Sequence, residues 1–261
     1  MKIFCIGDVV GKAGCQILTD SLKGLIQEYG VDFTIVNGEN AAGGVGLTPR
    51  IAEQIFRAGA DLITLGDHTW DRQELVPYLE EEENIIRPAN FPEGTPGHGW
   101  RIVTTGSGAR IGVINLLGRT FMRYNVDCPF RALNKAVDQI RGETPVIIVD
   151  FHAETTSEKV ALGHFSDGKV SAIVGTHTHI QTADEKILPQ GTAYITDLGM
   201  TGPYDSVIGQ NKHKIIERFF TSRPVRFEVA QDDPCLHGAV IEVDPQTGKA
   251  SGIFRVQRRP K

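Results

Sequence analysis

Six side chains suited to holding cations stand at wide intervals along this sequence: Asp8, Glu39, Asp67, His152, His177 and His179. Three carboxylates and three imidazoles make a ligand set for two metal ions. Imidazole suits zinc, iron, nickel and copper, while carboxylate suits harder ions such as manganese and neutralises their charge. Two such ions, about 3.5–4 Å apart, can bind both oxygens of a phosphoryl group and sharpen a bound water into hydroxide. A carboxylate is the natural bridge because each of its oxygens can bind one ion, and Glu39, the only long carboxylate of the three, is the candidate bridge. His177 and His179 stand at i and i+2, which on a strand puts both on one face. On a loop they can instead reach different ions.

Two neighbours of these residues read as catalytic rather than ligating. His68 directly follows Asp67, and an imidazole titrates near neutral pH, so it can protonate a leaving oxygen. Asn40 directly follows Glu39, and its amide can donate to a phosphoryl oxygen as charge builds there.

Something must bring these distant residues together, and the apolar runs before them supply it. Ile3 to Ile6, Phe33 to Val36, Leu62 to Leu65, Val146 to Val149 and Ala172 to Val174 each read as a buried strand. Each is followed closely by one of the candidate ligands, and strand carboxyl ends are where α/β sheets build sites. Helical spacing lies between them: Ile17, Leu18, Leu22, Leu25 and Ile26; then Pro49 at a first turn ahead of Ile51, Ile55 and Phe56. Further helices are predicted over 72–83, 130–140 and 212–220. Ile111 to Leu117 is another strand, and the tail through 193–195, 240–243 and 253–254 is predicted to be antiparallel. No repeat or linker interrupts the 261 residues, which read as a single α/β domain over 1–261 with a mixed or double sheet.

Composition narrows the classes further. With 40% hydrophobic and 23% charged residues, the chain can bury a core without staples. A formal net charge of -5 argues against duplex nucleic acid, which needs clustered Lys and Arg. No apolar run approaches the length that crosses a bilayer, and no secretory leader is expected. The four cysteines, Cys5, Cys15, Cys128 and Cys235, form no Cys-x-x-Cys pair, and a reducing cytoplasm is the expected compartment.

The segments Gly7-Asp8, Gly38-Glu39-Asn40, Gly66-Asp67-His68, His152 and Gly175-Thr176-His177-Thr178-His179 occur in the order of the calcineurin-like metallophosphoesterase signature. The strings running from Asn37 to Gly44, from Asp150 to Lys159 and from Gly175 to His179 resemble the bacterial YmdB-like branch, and the similarity extends from about Lys2 to Gly209. That resemblance implies a four-layer αββα sandwich and a dinuclear centre. Iron or manganese is the expected metal and zinc or nickel the alternative, a choice the ligand list leaves open because availability and geometry decide it. It implies ligation by the six residues above, with Asn40 and His68 on the phosphate. It implies cyclic nucleotides, 2′,3′ or 3′,5′, as small-molecule substrates, and a homo-oligomer. The sequence departs from the wider superfamily twice. Val10 occupies a histidine position, and Asp67 replaces the usual asparagine, adding negative charge that should favour harder ions.

Each motif alone has an ordinary reading: Asp8 as a turn or cap residue, Asp67 as a helix cap, His177 and His179 as surface residues. Gly43-Gly44-Val45-Gly46 lacks the spacing of a dinucleotide fingerprint and reads as a loop approaching the site closely. The competing functions are a phosphomonoesterase or protein phosphatase on the same metals, and a non-catalytic regulator that senses a cyclic nucleotide.

Overall fold

Along each central strand the side chains divide with a period of two, and that division fixes the layering. The computed structural model describes residues 1–260. Strands β1 (Lys2–Ile6), β2 (Phe33–Asn37), β3 (Leu62–Thr64) and β4 (Ile85–Ile86) run parallel, joined by helices α1 (Gly11–Tyr29), α2 (Pro49–Ala58) and α3 (Leu75–Glu81). A second sheet follows: β5 (Trp100–Thr104), β6 (Arg110–Leu117), β7 (Ile147–His152), β8 (Ala172–Thr176), β9 (Lys186–Ile187) and β10 (Ala193–Ile195). Its order is β5-β6-β7-β8-β10-β9, with α4 (Pro129–Ile140) and α5 (Thr156–Ser166) as crossovers. The chain then returns to the first sheet through β11 (Gly202–Pro203), α6 (Lys212–Thr221), β12 (Pro234–Val243) and β13 (Ala250–Arg258), giving β11-β12-β1-β2-β3-β4 with β13 on β12.

Ile3, Cys5, Phe33, Ile35 and Leu62 face Ile111, Val113, Ile148, Ala172 and Val174 across the gap between the sheets. The alternate residues Phe4, Ile6, Val36 and Ile63 face outward onto Ile17, Leu18 and Leu22 of α1 and Ala52 and Ile55 of α2. On the far side Ile147, Val149 and Phe151 meet Leu133 and Ile140 of α4 and Leu162 of α5. Three apolar seams therefore separate four layers in the order α, β, β, α. Burying each Leu or Ile contributes about 1.5–3 kcal/mol, and truncating Leu22, wholly buried, to Ala would cost roughly 2–5 kcal/mol.

Local chemistry sets the ends. Thr48 caps α2 by accepting from the Ile51 N–H at 3.3 Å, with Pro49 in the first turn and Gly59 in the left-handed conformation closing it. Two expectations need correction, and one helix was not expected. The segment 193–195 pairs antiparallel with exposed β9 but parallel with β8, because β9 first carries the chain back down the sheet. The helix predicted over 72–83 is confined to Leu75–Glu81, since the Arg72 side chain donates to the Ala42 and Val45 carbonyls and holds a turn there. Helix α5 carries Lys159, Gly163 and Ser166 beside Leu162 on its buried side, so no apolar stripe announces it.

Candidate metal centre

All six candidate ligands meet at one end of the sandwich. Asp8, Glu39 and Asp67 lie just beyond β1, β2 and β3 of the first sheet. His152 closes β7 of the second sheet, and His177 and His179 follow β8. The site is thus shared between two sheets rather than built on one sheet edge. Glu39, Asp67, His152 and His177 each bring a ligand atom within 4.8 Å of the others. Beside them, His179 Nε2 stands 3.9 Å from Asp8 Oδ1 and 3.3 Å from Asn40 Nδ2. Glu39 lies between the two groups: its Oε1 is 2.9 Å from His152 Nε2 and accepts from Asn40 Nδ2 at 3.0 Å.

Hydrogen bonding orients each imidazole. His152 Nδ1 meets Thr176 Oγ1 at 3.0 Å, and that hydroxyl donates onward to Asp150 Oδ1 at 2.7 Å. His177 Nε2 meets Glu154 Oε2 at 3.0 Å, and His179 Nδ1 meets the Ile208 carbonyl at 2.9 Å. In all three rings one nitrogen faces an outer acceptor, so the other, aimed into the cluster, presents its lone pair. His177 and His179 do not lie on a strand. Both have positive φ, 99° and 65°, and their rings diverge: His177 towards Asp67 and His152, His179 towards Asp8 and Asn40.

The electrostatics call for a cation. Burial should lower the basicity of His152, yet Glu39, Asp67 and Asp8 raise its pKa well above the ordinary value. Burial likewise pushes Asp67 and Asp8 up, but hydrogen bonds from His152 and His177 outweigh it for Asp67. For Asp8 the charges of His179 and His152 prevail, so both carboxyls sit below the usual range. Asp8 Oδ1 is buried without a hydrogen-bond partner among the described residues, and an orphaned buried carboxylate oxygen is costly unless something positive meets it. Gly66 forms the cradle's wall: a Cβ there would collide with the Glu39 carboxylate and the His152 ring. This donor set fits divalent metal.

Beneath the site the inter-sheet seam turns polar on the same strand faces. Asn37, Thr64, Asn115, Asp150 and Thr176 are all buried where the apolar alternation ends. Thr64 and Asn37 donate to Asp150 Oδ2. Burial pushes the Asp150 carboxyl up to about 6, against the lowering effect of these donors. Sequence reasoning assigned no role to Asp150 or Glu154, although both lie in the string from Asp150 to Lys159. It also passed over Asp71, whose Oδ2 is 2.6 Å from His68 Nδ1 and which pairs with Arg123 at 2.8 Å. The His68–Asp71 spacing of three was the available signal. Asp8 does not cap α1, where Val10 takes the N-cap position. Gly44 adopts φ 89°, and its N–H donates to the Asn40 carbonyl at 3.0 Å, which ties this loop to the site.

A two-sheet αββα sandwich with this cluster at its strand ends is the arrangement of a metallophosphoesterase, a phosphoric ester hydrolase. The chain belongs to the family of YmdB-like proteins, whose family model matches residues 4–256. It is 51% identical over 256 residues to the 2′,3′-cyclic-nucleotide 2′-phosphodiesterase of Bacillus subtilis, covering 98% of this chain and 96% of that protein. A phosphatase structure from Mycoplasma pneumoniae superposes with a TM-score of 0.93 at 37% identity, covering 99% and 93% of the two chains. A hypothetical protein from Thermus thermophilus also gives 0.93, at 39% identity and full coverage of both. The thiohydrolase SoxB, at 12% identity and a TM-score of 0.57 over 96% of this chain and 43% of that one, shares the fold alone.

Proposed function

We propose that this chain is a dinuclear-metal phosphodiesterase acting on cyclic nucleotides, 2′,3′-cyclic first and 3′,5′-cyclic second. One observation carries the reading: three imidazoles, each secured at its outer nitrogen, aim their inner nitrogens at three buried carboxylates. Glu39, Asp67, His152 and His177 would hold one ion, and Asp8, Glu39 and His179 the other, with iron or manganese favoured by the carboxylate share. Such ions would polarise the phosphoryl oxygens and acidify a water for attack on phosphorus.

The chain's own groups do the rest. Asn40 presents its amide to a phosphoryl oxygen. His68 Nε2 protonates the departing ribose oxygen as its bond to phosphorus breaks, and Asp71 accepts from Nδ1 to fix the ring. The Bacillus relative's description supports the 2′ oxygen as the leaving group. The cytoplasm is the compartment we assign, because all four thiols are free and three are buried.

Hydrolysis of 2′,3′-cyclic AMP with added Mn2+, comparing wild type with Glu39→Gln, tests the proposal. Metal-dependent turnover that disappears in the variant is expected. A chain inert with every divalent ion would leave the sensing role instead. A phosphomonoester run in parallel separates the diesterase from the phosphatase suggested by the Mycoplasma relative's description.

A further inference from the structure

Among the described residues Lys159 is the only buried lysine, 1% exposed, and it faces Asp197, equally buried. Its Nζ donates to Asp197 Oδ2 at 2.6 Å and to the Thr176 carbonyl at 2.7 Å. A lysine sealed in this way has no path to substrate and is not a nucleophile. Its partner, however, reaches the centre. Asp197 Oδ2 also accepts the Thr178 N–H at 3.1 Å and the Thr178 hydroxyl at 2.7 Å, while Oδ1 accepts the Gly199 N–H at 2.8 Å.

Thr178 is the residue between His177 and His179. Both histidines sit in the left-handed region, a conformation that residues with a Cβ keep only when the surroundings over-determine it. The restraints come from outside the loop: Asp8 Oδ2 accepts the His177 N–H at 3.1 Å, the His179 carbonyl accepts the Met200 N–H at 3.1 Å, and Thr178 between them is held by Asp197. The two donors of Thr178 need an acceptor with capacity for both, and a carboxylate supplies it. A carboxylate buried this deeply needs a cation beside it. Lys159 is that cation. Its second bond, to the Thr176 carbonyl, fixes the last residue of β8, whose hydroxyl orients His152.

We infer that the Lys159–Asp197 pair is the positioning device of the metal centre: by clamping Thr178 from behind, it splays His177 and His179 towards the two ion positions. The inference rests on the dinuclear reading above. It also gives a role to Lys159, which closes the string from Asp150 to Lys159, and to Asp197, which no sequence motif marked.

Mn2+ titration of the full chain, followed by calorimetry and by the paramagnetic signal of the ion, tests it without relying on turnover. Thr178→Val removes one donor and keeps the shape; Lys159→Met with Asp197→Asn replaces the ion pair by a neutral pair. Mn2+ affinity is expected to fall about tenfold in the first and about 10–100-fold in the second, the range for groups that orient metal ligands. Leu22→Ala, in the seam under α1, serves as the control that lowers melting temperature without touching Mn2+ affinity. Variants that melt earlier yet bind Mn2+ as tightly as wild type would overturn the inference and leave the dinuclear reading standing. A wild type that binds no Mn2+ would overturn both.

Discussion

His152 and His177 meet nitrogen to nitrogen, Nε2 to Nδ1 at 3.0 Å, with their rings 72° apart in plane. Two imidazole lone pairs at that distance repel unless a cation or a proton lies near both. The outer nitrogen of His177 faces Glu154, so that carboxylate sets which nitrogen points inward. Glu154→Gln should weaken Mn2+ binding about 10–100-fold while leaving the fold intact. Calorimetric titration checks it, and unchanged affinity would remove Glu154 from the orienting set.

Gly66 supplies a sharper steric test. A methyl at this position would strike both Glu39 and His152, and neither can retreat because both are wholly buried. Gly66→Ala should therefore release bound metal and lower hydrolysis by more than about a hundredfold, as misplacing a reacting group by 1 Å can. Metal content and turnover, measured on protein with a wild-type circular dichroism spectrum, decide the matter.

The hydrogen bond between His68 and Asp71 predicts a graded pair of losses. His68→Ala should reduce kcat by about 10²–10⁴-fold, the range for a general acid, with little change in metal content. Asp71→Asn should cost less, because the imidazole remains and only its orientation loosens. Equal losses in the two variants would argue that Asp71 does more than hold the ring.

Asp67 carries a charge that an asparagine would lack. Asp67→Asn should lower Mn2+ affinity, shift preference towards softer ions such as zinc, and modestly reduce KM for an anionic substrate. Competition between Mn2+ and Zn2+ on the two proteins measures this. Identical preference would show that the additional carboxylate charge is irrelevant.

Away from the centre, His237 predicts a pH effect on stability. It is buried beside Tyr204 Oη at 2.7 Å, and burial together with the Arg259 charge lowers its pKa to about 4. An unfolded histidine titrates near 6.5, so below that pH the unfolded chain binds more protons. Its contribution to stability is whole above pH about 6.5 and is lost progressively down to about 4, by roughly 2–3 kcal/mol. Denaturant titrations at pH 7 and 5 should show the loss, and His237→Asn should remove that share of it.

The sequence by itself determined the strands and the chemistry at their ends. Runs such as Ile3 to Ile6 and Val146 to Val149 alternate nothing polar because they are covered on both faces, so they are visible as strands and point to the residues that follow. Asp8, Glu39, Asp67, His152, His177 and His179 were legible as candidate ligands for that reason. What sequence alone left open was how the candidate ligands divide between two sheets, because an apolar strand does not say which layer it joins. Only the tertiary structure decided that His177 and His179 diverge, since the partners that hold their loop are distant in the chain: Asp197 accepts from Thr178, and Asp8 accepts the His177 N–H. Glu154 stays exposed, and its role shows only once the fold sets His177 beside it. Asp150 is the opposite case. A carboxylate on β7 looks solvent-facing until the first sheet closes over it, and long-range packing alone brings Asn37 and Thr64 across the seam to make its burial tolerable.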